Sequence, residues 1–213
     1  MFKVENLQYA IGDKKSPSVN LSAPKATVNL ITGSNGEGKT LLFRSLIGEN
    51  KVFKGECSFN GKPLDLAQMP IAFSPVSDFL SYKLRVFDYF NYLFRSGLVK
   101  KNELHNLYEV FDFKKHLNTK ICKLSDGEKR RFSIIETTIM NRQICFFDEP
   151  EANLDENHRA VWLKHLTKLR EGKIIFIISH YPEIYHSIAY QNIQINKDKV
   201  NYISLNIGES SVC

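Results

Sequence analysis

Residues 33–40 of the chain are Gly33-Ser34-Asn35-Gly36-Glu37-Gly38-Lys39-Thr40, and Leu41 follows them. This stretch matches the pattern G-x-x-x-x-G-K-[ST]. β-rich residues precede it at 26–32, and apolar side chains recur at helical spacing over 38–47. In the order strand, loop, helix, the backbone N–H groups of the loop and the N-terminus of the helix point at one anion. The sequence therefore predicts a phosphate-binding loop in which residues 33–41 hold a nucleotide.

A second motif, Ile144-Cys145-Phe146-Phe147-Asp148-Glu149, is apolar until it ends in two acids. A buried strand with this pattern places both carboxylates at the edge of an open α/β sheet where ligands bind. We expect Lys39 to reach the β- and γ-phosphates, and Thr40 with Asp148 to hold Mg²⁺. Glu149 is then the candidate general base that orients or deprotonates the attacking water. The alternative is that the two acids only begin a loop.

A third motif, Leu124-Ser125-Asp126-Gly127-Glu128, has the form of a helix start. A serine at the N-cap and a glutamate three residues later make a capping box. This structural role holds whatever the function is. The motif also supplies a second helix N-terminus that can receive an anion.

Composition excludes several classes of protein. The 213 residues are 43% hydrophobic and 24% charged, which is globular rather than disordered, and no apolar run is long enough for a bilayer. The first residues lack signal-peptide character, so we expect a cytosolic chain. The four cysteines are scattered without a CxxC pair, which disfavours metal ligation and a disulfide framework. The net charge of +6 is compatible with nucleic acid, an anionic membrane surface or a polyphosphate.

The order of elements predicts the fold class. Buried apolar strands alternate with helices, which favours an α/β P-loop NTPase core with a mostly parallel sheet. Short hairpins, one at Asn60-Gly61, predict an antiparallel β edge. Aromatic-rich helical residues between the hairpin and Ser125 predict an inserted helical subdomain at about 77–140. We expect a single domain over 1–213.

Five elements in order resemble the ABC ATPases, the nucleotide-binding domains of ATP-binding-cassette proteins. They are the loop at 33–40, the motif at 124–128, Phe147-Asp148-Glu149-Pro150, Ala152-Asn153-Leu154-Asp155 and Ser179-His180. The Leu-Ser-x-Gly element between the two nucleotide motifs separates this family from other P-loop proteins. The resemblance covers nearly the whole chain.

The resemblance assigns further roles. It implies that Ser125 and Gly127 contact the γ-phosphate of ATP held by an opposite subunit. Asp155 corresponds to the loop that crosses the dimer interface. His180 corresponds to the switch histidine that contacts the γ-phosphate, which makes Lys39, Glu149 and His180 the candidate catalytic residues.

The resemblance also implies partners. A second copy, or a related cassette, is expected to enclose two Mg-ATP head to tail with this chain and to separate after hydrolysis. Integral membrane permease subunits would then hold the protein at the inner face of the membrane, and the transporter-like size of the helical lobe disfavours nucleic acid. Two alternatives stay open: a soluble ABC ATPase acting on nucleic acid or ribosomes, and a weakly hydrolysing regulatory cassette.

Three positions depart from the family pattern. Val76 stands where a glutamine usually links Mg²⁺ to the helical lobe, and valine cannot coordinate a cation. Ile11 replaces the aromatic residue that stacks on adenine, so we expect weak discrimination between bases. Asp126 replaces a glycine and would repel a γ-phosphate unless it points outward. The rings of 79–94 are either core of the helical lobe or the lining of a groove for a permease helix.

Overall fold

The computed structural model describes residues 1–64, 71–75, 83–196 and 200–204. Three residues that carried sequence predictions, Val76, Phe79 and Tyr82, lie outside these ranges. The strands are β1 (Phe2–Ile11), β2 (Lys14–Lys15), β3 (Val19–Ala23), β4 (Thr27–Thr32), β5 (Val52–Phe59), β6 (Lys62–Pro63), β7 (Ile71–Ser74), β8 (Ile144–Asp148), β9 (Ile174–Ile178), β10 (Ala189–Ile195) and β11 (Val200–Ser204). The α-helices are α1 (Lys39–Leu46), α2 (Val86–Arg95), α3 (Lys101–Val110), α4 (Asp126–Ile139) and α5 (Glu156–Leu169).

The larger sheet carries the nucleotide motifs. Its strand order is β11-β10-β4-β9-β8-β7, and every pair is parallel except β10 with β11. The residues of β8 and β9 are all buried, as expected for strands covered on both faces. The loop at 33–40 follows β4, the acid pair ends β8 and His180 follows β9, so all three lie at one edge. The predicted mostly parallel sheet is confirmed.

The antiparallel strands form a sheet of their own, in addition to the β10–β11 edge. β1 pairs with β2 and β3 on one side and with β5 on the other, and β5 continues into β6. The predicted turn at Asn60-Gly61 joins β5 to β6, and both residues have positive φ, 52° and 78°. That backbone suits a two-residue hairpin turn.

Two cores lie on opposite faces of the larger sheet. One packs the antiparallel sheet and α1 against the sheet, where the rings of Phe43 and Phe146 stack with centroids 4.4 Å apart. The other packs α2 to α5 against the opposite face, with Phe90, Phe132 and Trp162 buried in it. The sheet edge that carries the motifs is therefore fixed from both sides.

The helical insertion between β7 and β8 contains α2, α3 and α4. The aromatic-rich region before Ser125 forms helices as predicted, and the chain turns between α2 and α3 at Gly97, which takes a φ of 75°. The sequence of residues 181–189 predicts a short helix, but only a 3₁₀ turn forms over Pro182–Tyr185, and β10 already begins at Ala189. The subdomain boundaries at about 77–140 and the single-domain organisation stay predictions.

The aromatic residues of α2 divide between the core and the surface, and the groove for a permease helix stays a prediction. Phe90 is buried in the core, and the half-buried Tyr89 donates a hydrogen bond to Glu136. Phe87 and Tyr92 are exposed by 53% and 66%. Within the described residues, none of the helices combines the length and hydrophobicity that crossing a bilayer requires.

Candidate nucleotide-binding site

The loop at 33–40 has the geometry of an anion cradle. Gly36 and Gly38 take φ values of 79° and 90°, which a residue with a side chain rarely adopts, and Gly38 packs beside the Ile11 side chain. Lys39 Nζ donates hydrogen bonds of 2.7 and 2.9 Å to the carbonyl oxygens of Gly33 and Ser34. Its ammonium group is thus held inside the loop where phosphates would bind.

Burial lowers the pKa of the Lys39 ammonium, and the nearby carboxylates of Glu149, Glu37 and Asp148 act in the opposite direction. Lys39 is only 6% exposed, so its charge has little solvent around it. A buried cation beside several acids is electrostatically matched to a polyphosphate that brings further negative charge.

Glu37 places an acid of the chain itself in the phosphate-binding loop. Its Oε2 accepts a hydrogen bond of 2.7 Å from the backbone N–H of Ser34. This N–H belongs to the loop that the sequence predicts to hold phosphate. In the sequence, Glu37 occupies a position of the motif that any residue can fill, and no pattern indicates that its side chain takes the position of an anion.

The magnesium prediction rests on Thr40 and Asp148, which the structure brings together. Thr40 Oγ1 donates a 2.7 Å hydrogen bond to Asp148 Oδ2, while Asp148 Oδ1 is buried and has no hydrogen-bond partner among the described residues. Burial raises the pKa of Asp148 to about 6, against the lowering effect of the Thr40 hydroxyl. A hydroxyl and an orphaned carboxylate oxygen fit a cation that otherwise takes water and phosphate oxygens. Within the described residues, no three His, Cys, Asp or Glu side chains group as a metal site.

The candidate base and the switch histidine are in direct contact. Glu149 Oε1 lies 2.9 Å from His180 Nε2, and the side chains are 27% and 36% exposed. Both positions follow neighbouring parallel strands, and Glu149 N–H donates to the carbonyl of Ile178 at 2.9 Å. The pair is partly open to solvent, as a base that activates water requires.

Beneath this pair lies a buried polar network that the sequence analysis missed. Glu151, only 2% exposed, accepts hydrogen bonds from the hydroxyl of Ser179 and, at 2.7 Å, from that of Tyr185. Trp162 Nε1 donates to Tyr185 Oη at 3.0 Å. The only sequence signal was a further acid soon after the pair at 148–149.

The turn at 124–128 forms the predicted capping box at the start of α4. Ser125 Oγ accepts from the N–H of Glu128 at 3.4 Å, and Glu128 Oε2 accepts from the N–H of Ser125 at 2.8 Å. Ser125 is exposed, so its side chain faces the surface. A Cβ on Gly127 would lie 2.6 Å from the carbonyl oxygen of Asn153. Packing inside one chain therefore explains why a glycine occupies this position, without any contact to a second subunit.

Asp126 points outward from the same turn. Its side chain is 78% exposed and lies 3.3 Å from Lys129 Nζ. Of the two orientations that the sequence left open, the structure therefore has the outward one.

Asp155 caps α5 and is linked to the helical insertion. Its Oδ1 accepts from the N–H of His158 at 2.8 Å, and its Oδ2 lies 2.7 Å from His158 Nδ1. These bonds hold the pKa of Asp155 below its ordinary value. His158 Nε2 lies 2.9 Å from a guanidinium nitrogen of Arg131, which donates to the carbonyl of Phe111 at 2.9 Å. The loop at 152–155 is thus tied to the helices of the insertion.

The residue expected beside the adenine ring of the nucleotide, Ile11, has an aliphatic side chain. Tyr9 is fully buried and its hydroxyl donates to the carbonyl of Gly38 at 3.1 Å, so its ring supports the loop instead of facing solvent. Ile11 is half-buried beside Gly38. That the site discriminates only weakly between nucleotide bases, as between ATP and GTP, stays a prediction.

Together, the loop at 33–40, the Thr40–Asp148 pair and the Glu149–His180 pair at one edge of a parallel sheet define a P-loop nucleotide-binding protein. Residues 17–152 match the family model described as ABC transporter, which is more than half of the chain. The chain belongs to the ABC transporter family. ATP-binding cassettes of this family bind ATP and are ATPases, so the predicted family, fold class and enzyme class are confirmed.

Curated relatives agree with this assignment. A probable metal transport system ATP-binding protein of Thermotoga maritima is 31% identical over 185 residues, covering 83% of this chain and 72% of that protein. The manganese transport system ATP-binding protein MntB of Listeria innocua is 28% identical over 80% of this chain and 75% of its own length. The ABC transporter ATP-binding protein YhaQ of Bacillus subtilis is 25% identical over 85% of this chain, which spans 63% of YhaQ.

Solved structures show the same fold at lower identity. One titled as the ATP binding subunit of an ABC transporter has a TM-score of 0.86 at 18% identity, covering 97% of this chain and 90% of the other. A nucleotide-free ATP-binding cassette from an ABC transporter has a TM-score of 0.79 at 19% identity, over 97% and 92% of the two chains.

Proposed function

We propose that this chain is the ATP-hydrolysing subunit of a membrane ABC transporter, and that it drives separate permease subunits as a head-to-tail dimer around two Mg-ATP. The observation that carries the proposal is the meeting of the loop at 33–40, Asp148, Glu149 and His180 at one sheet edge. Relatives named as transport-system ATP-binding proteins support the transport role.

Each side chain has a role that follows from its position. Lys39 binds the β- and γ-phosphates once it exchanges the carbonyl oxygens of the loop for phosphate oxygens. Thr40 and Asp148 are the residues that would hold magnesium, which when bound neutralises phosphate charge. Glu149 accepts the proton of the attacking water, and His180, 2.9 Å from it, contacts the γ-phosphate.

Dimerisation supplies the part of the site that one chain leaves open. Ser125 and Asp155 lie on exposed turns that begin α4 and α5. Gly127 lies against Asn153, in the loop that joins β8 to α5. An exposed helix N-terminus can close over the γ-phosphate of a nucleotide held by a second copy or a related cassette. Loss of that phosphate after hydrolysis removes the contact, and the two subunits separate.

The permease is proposed to dock in an apolar groove of the helical insertion. The groove has a volume of about 360 Å³ and lies between α2 and α3, with Phe87, Phe94 and Tyr108 in its lining. Lys101 and Lys114 also line it, so a short amphipathic helix with acidic flanks is the matching partner. This contact would place the chain at the inner face of the membrane.

The catalytic part is tested with Glu149→Gln. The amide cannot accept the proton, so we expect ATP turnover to fall by a factor on the order of 10² or more while ATP stays bound and the dimer accumulates. Glu183→Gln removes an exposed carboxylate from the neighbouring 3₁₀ turn and serves as the matched control. Undiminished turnover in Glu149→Gln overturns the base assignment.

The transport part is tested in the membrane fraction. Phe87→Ser with Phe94→Ser should release an identified permease chain from the purified complex and leave basal ATPase activity unchanged. Tyr190→Ser, which changes an exposed ring outside the groove, should leave both the permease contact and the basal activity unchanged. The net charge of +6 keeps a soluble cassette acting on nucleic acid or ribosomes as the second candidate. Salt-dependent RNA or DNA binding without a permease would favour that candidate and overturn the transport role.

A further inference from the structure

The buried network around Glu151 joins the two turns that carry the candidate base and the switch histidine. Glu151 lies two residues after Glu149, and its hydrogen-bond partner Ser179 directly precedes His180. Ser179 Oγ also accepts from the N–H of Tyr181 at 2.9 Å, so one hydroxyl holds both sides of His180. The network is therefore anchored on the backbone that presents the histidine.

The Glu149 turn needs support of this kind. Glu149 has a φ of 49°, a left-handed conformation that is strained for a residue with a side chain and persists only where surrounding contacts fix it. The N–H of Ala152 donates to the carbonyl of Glu149 at 3.0 Å, and Glu151 fixes the same turn from below through its carboxylate. The opposite end of the network is rigid, because Trp162 is fully buried in α5.

The carboxylate of Glu151 is unusual in its surroundings. It is almost completely buried, it accepts hydrogen bonds from the hydroxyl groups of Ser179 and Tyr185, and the guanidinium of Arg130 interacts with it through charge. A buried carboxylate is costly to desolvate, so an apolar residue would pack the same space at lower cost. One carboxylate oxygen accepts from Ser179 and the other from Tyr185, so the side chain of Glu151 is a clamp that links its own turn to the turn that follows β9.

We propose that Glu151 is a positioning residue that, through Ser179, holds His180 against Glu149 in the geometry that hydrolysis requires. This inference rests on the proposed ATPase role of the same site. Glu151 does not touch the reacting atoms. It acts on the rate through the orientation of the pair above it and leaves the phosphate-binding loop unchanged.

Two variants interrupt the clamp and one serves as the control. Glu151→Gln keeps the shape but leaves a single carbonyl oxygen for two hydroxyl donors, and Ser179→Ala removes the hydroxyl beside His180. Ser133→Ala is the matched control, because it deletes another buried hydroxyl, bonded to Ser74 at 2.6 Å, outside this network. All three should fold, which their thermal unfolding would check.

Steady-state kinetics give the first readout. A displacement of about 1 Å in a reacting group costs on the order of 10²-fold, so we expect kcat to fall between about tenfold and a hundredfold in Glu151→Gln and Ser179→Ala. KM for ATP should stay unchanged, because Lys39 and Thr40 keep their contacts. Ser133→Ala should lower thermal stability without changing kcat. Equal kcat in all variants, or kcat losses that only follow thermal stability, would overturn the inference.

A spectroscopic readout separates this inference from the proposed function. In ¹⁵N-histidine-labelled protein the imidazole resonances of His180 are assigned by their loss in His180→Gln. They should move in Glu151→Gln and Ser179→Ala and stay in place in Ser133→Ala. Unmoved resonances overturn the positioning role even if the wild type is an active ATPase. An inactive wild type with moved resonances overturns the proposed hydrolysis and leaves the clamp standing.

Discussion

Replacing Glu37 with Gln is expected to tighten nucleotide binding about tenfold. In the free chain the Glu37 carboxylate accepts the Ser34 N–H at 2.7 Å, inside the loop that binds phosphate. A nucleotide must displace this carboxylate before its own oxygen can use that N–H. The carboxylate also adds a negative charge beside an incoming polyanion.

The size of the effect follows from the hydrogen bond that has to break. A hydrogen bond to a charged group contributes about 1.5–3 kcal/mol, and Glu37 is only half-buried, so we take the lower end. About 1.4 kcal/mol corresponds to a factor of ten in the dissociation constant. Gln keeps the shape of the side chain but replaces the ionic acceptor with a neutral amide oxygen, so most of this energy becomes available to the nucleotide.

The assay is calorimetric titration of the nucleotide-free chain with ADP and with ATP in the presence of magnesium. Glu49→Gln is the matched control, because Glu49 is an exposed carboxylate beyond the opposite end of α1. Both variants lose one negative charge, so a general charge effect would appear in both.

The result that would refute the reasoning is equal or weaker affinity in Glu37→Gln. Weaker affinity would mean that the Glu37–Ser34 bond organises the loop for the nucleotide more than it competes with it. An equal gain in Glu49→Gln would assign the effect to net charge and not to the contact.

Three further outcomes are expected. GTP should compete with ATP at comparable concentrations, since Ile11 offers no aromatic face to the base, and a strong preference for ATP would contradict this. Asp126→Asn should leave ATPase turnover unchanged, because the carboxylate points outward beside Lys129; a several-fold rise would show that it repels a phosphate held by an opposite subunit. Burial lowers the pKa of His165 to about 4, so the folded state resists protonation and the free energy of unfolding should fall by up to about 3 kcal/mol as the pH drops from about 6.5 to 4. Chemical denaturation of His165→Gln should lack most of that fall.

The sequence predicted those parts of the molecule that depend on local pattern. The loop at 33–40 needs glycines in fixed places, and the structure gives Gly38 a φ of 90° beside Ile11. The capping box at Ser125 is a four-residue device, and it forms as predicted. Asp148 and Glu149 end a buried apolar strand, which fixes their edge of the sheet without further information.

Contacts between distant segments could not be predicted from pattern. Glu151 meets Ser179 and Tyr185 only because β8 and β9 are neighbours in the sheet, and strand order is not written in either segment. The link from Asp155 through His158 to Arg131 likewise depends on how α4 and α5 pack. The sequence thus names candidate reacting groups, whereas the contacts that hold them in place emerge only from the structure.

The segments that precede α1 and α4 contain the same internal hydrogen bond, from a serine N–H to a glutamate carboxylate. Ser34 and Ser125 each donate their N–H to a glutamate three residues later, at 2.7 Å to Glu37 and 2.8 Å to Glu128. Burial works to raise the pKa of Glu128, yet the bonds from Ser125 and the nearby charge of His116 hold it below its ordinary value.

Glu128 is therefore fixed as part of a cap, because its own N–H also bonds to the Ser125 hydroxyl and completes the box. Glu37 makes no such reciprocal bond among the described contacts of the loop, so a nucleotide can displace it at the cost of one hydrogen bond. Under the proposed function, the loop at 33–40 would exchange an internal anion for phosphate, whereas the turn at Ser125 would keep its glutamate and meet the γ-phosphate through its exposed serine.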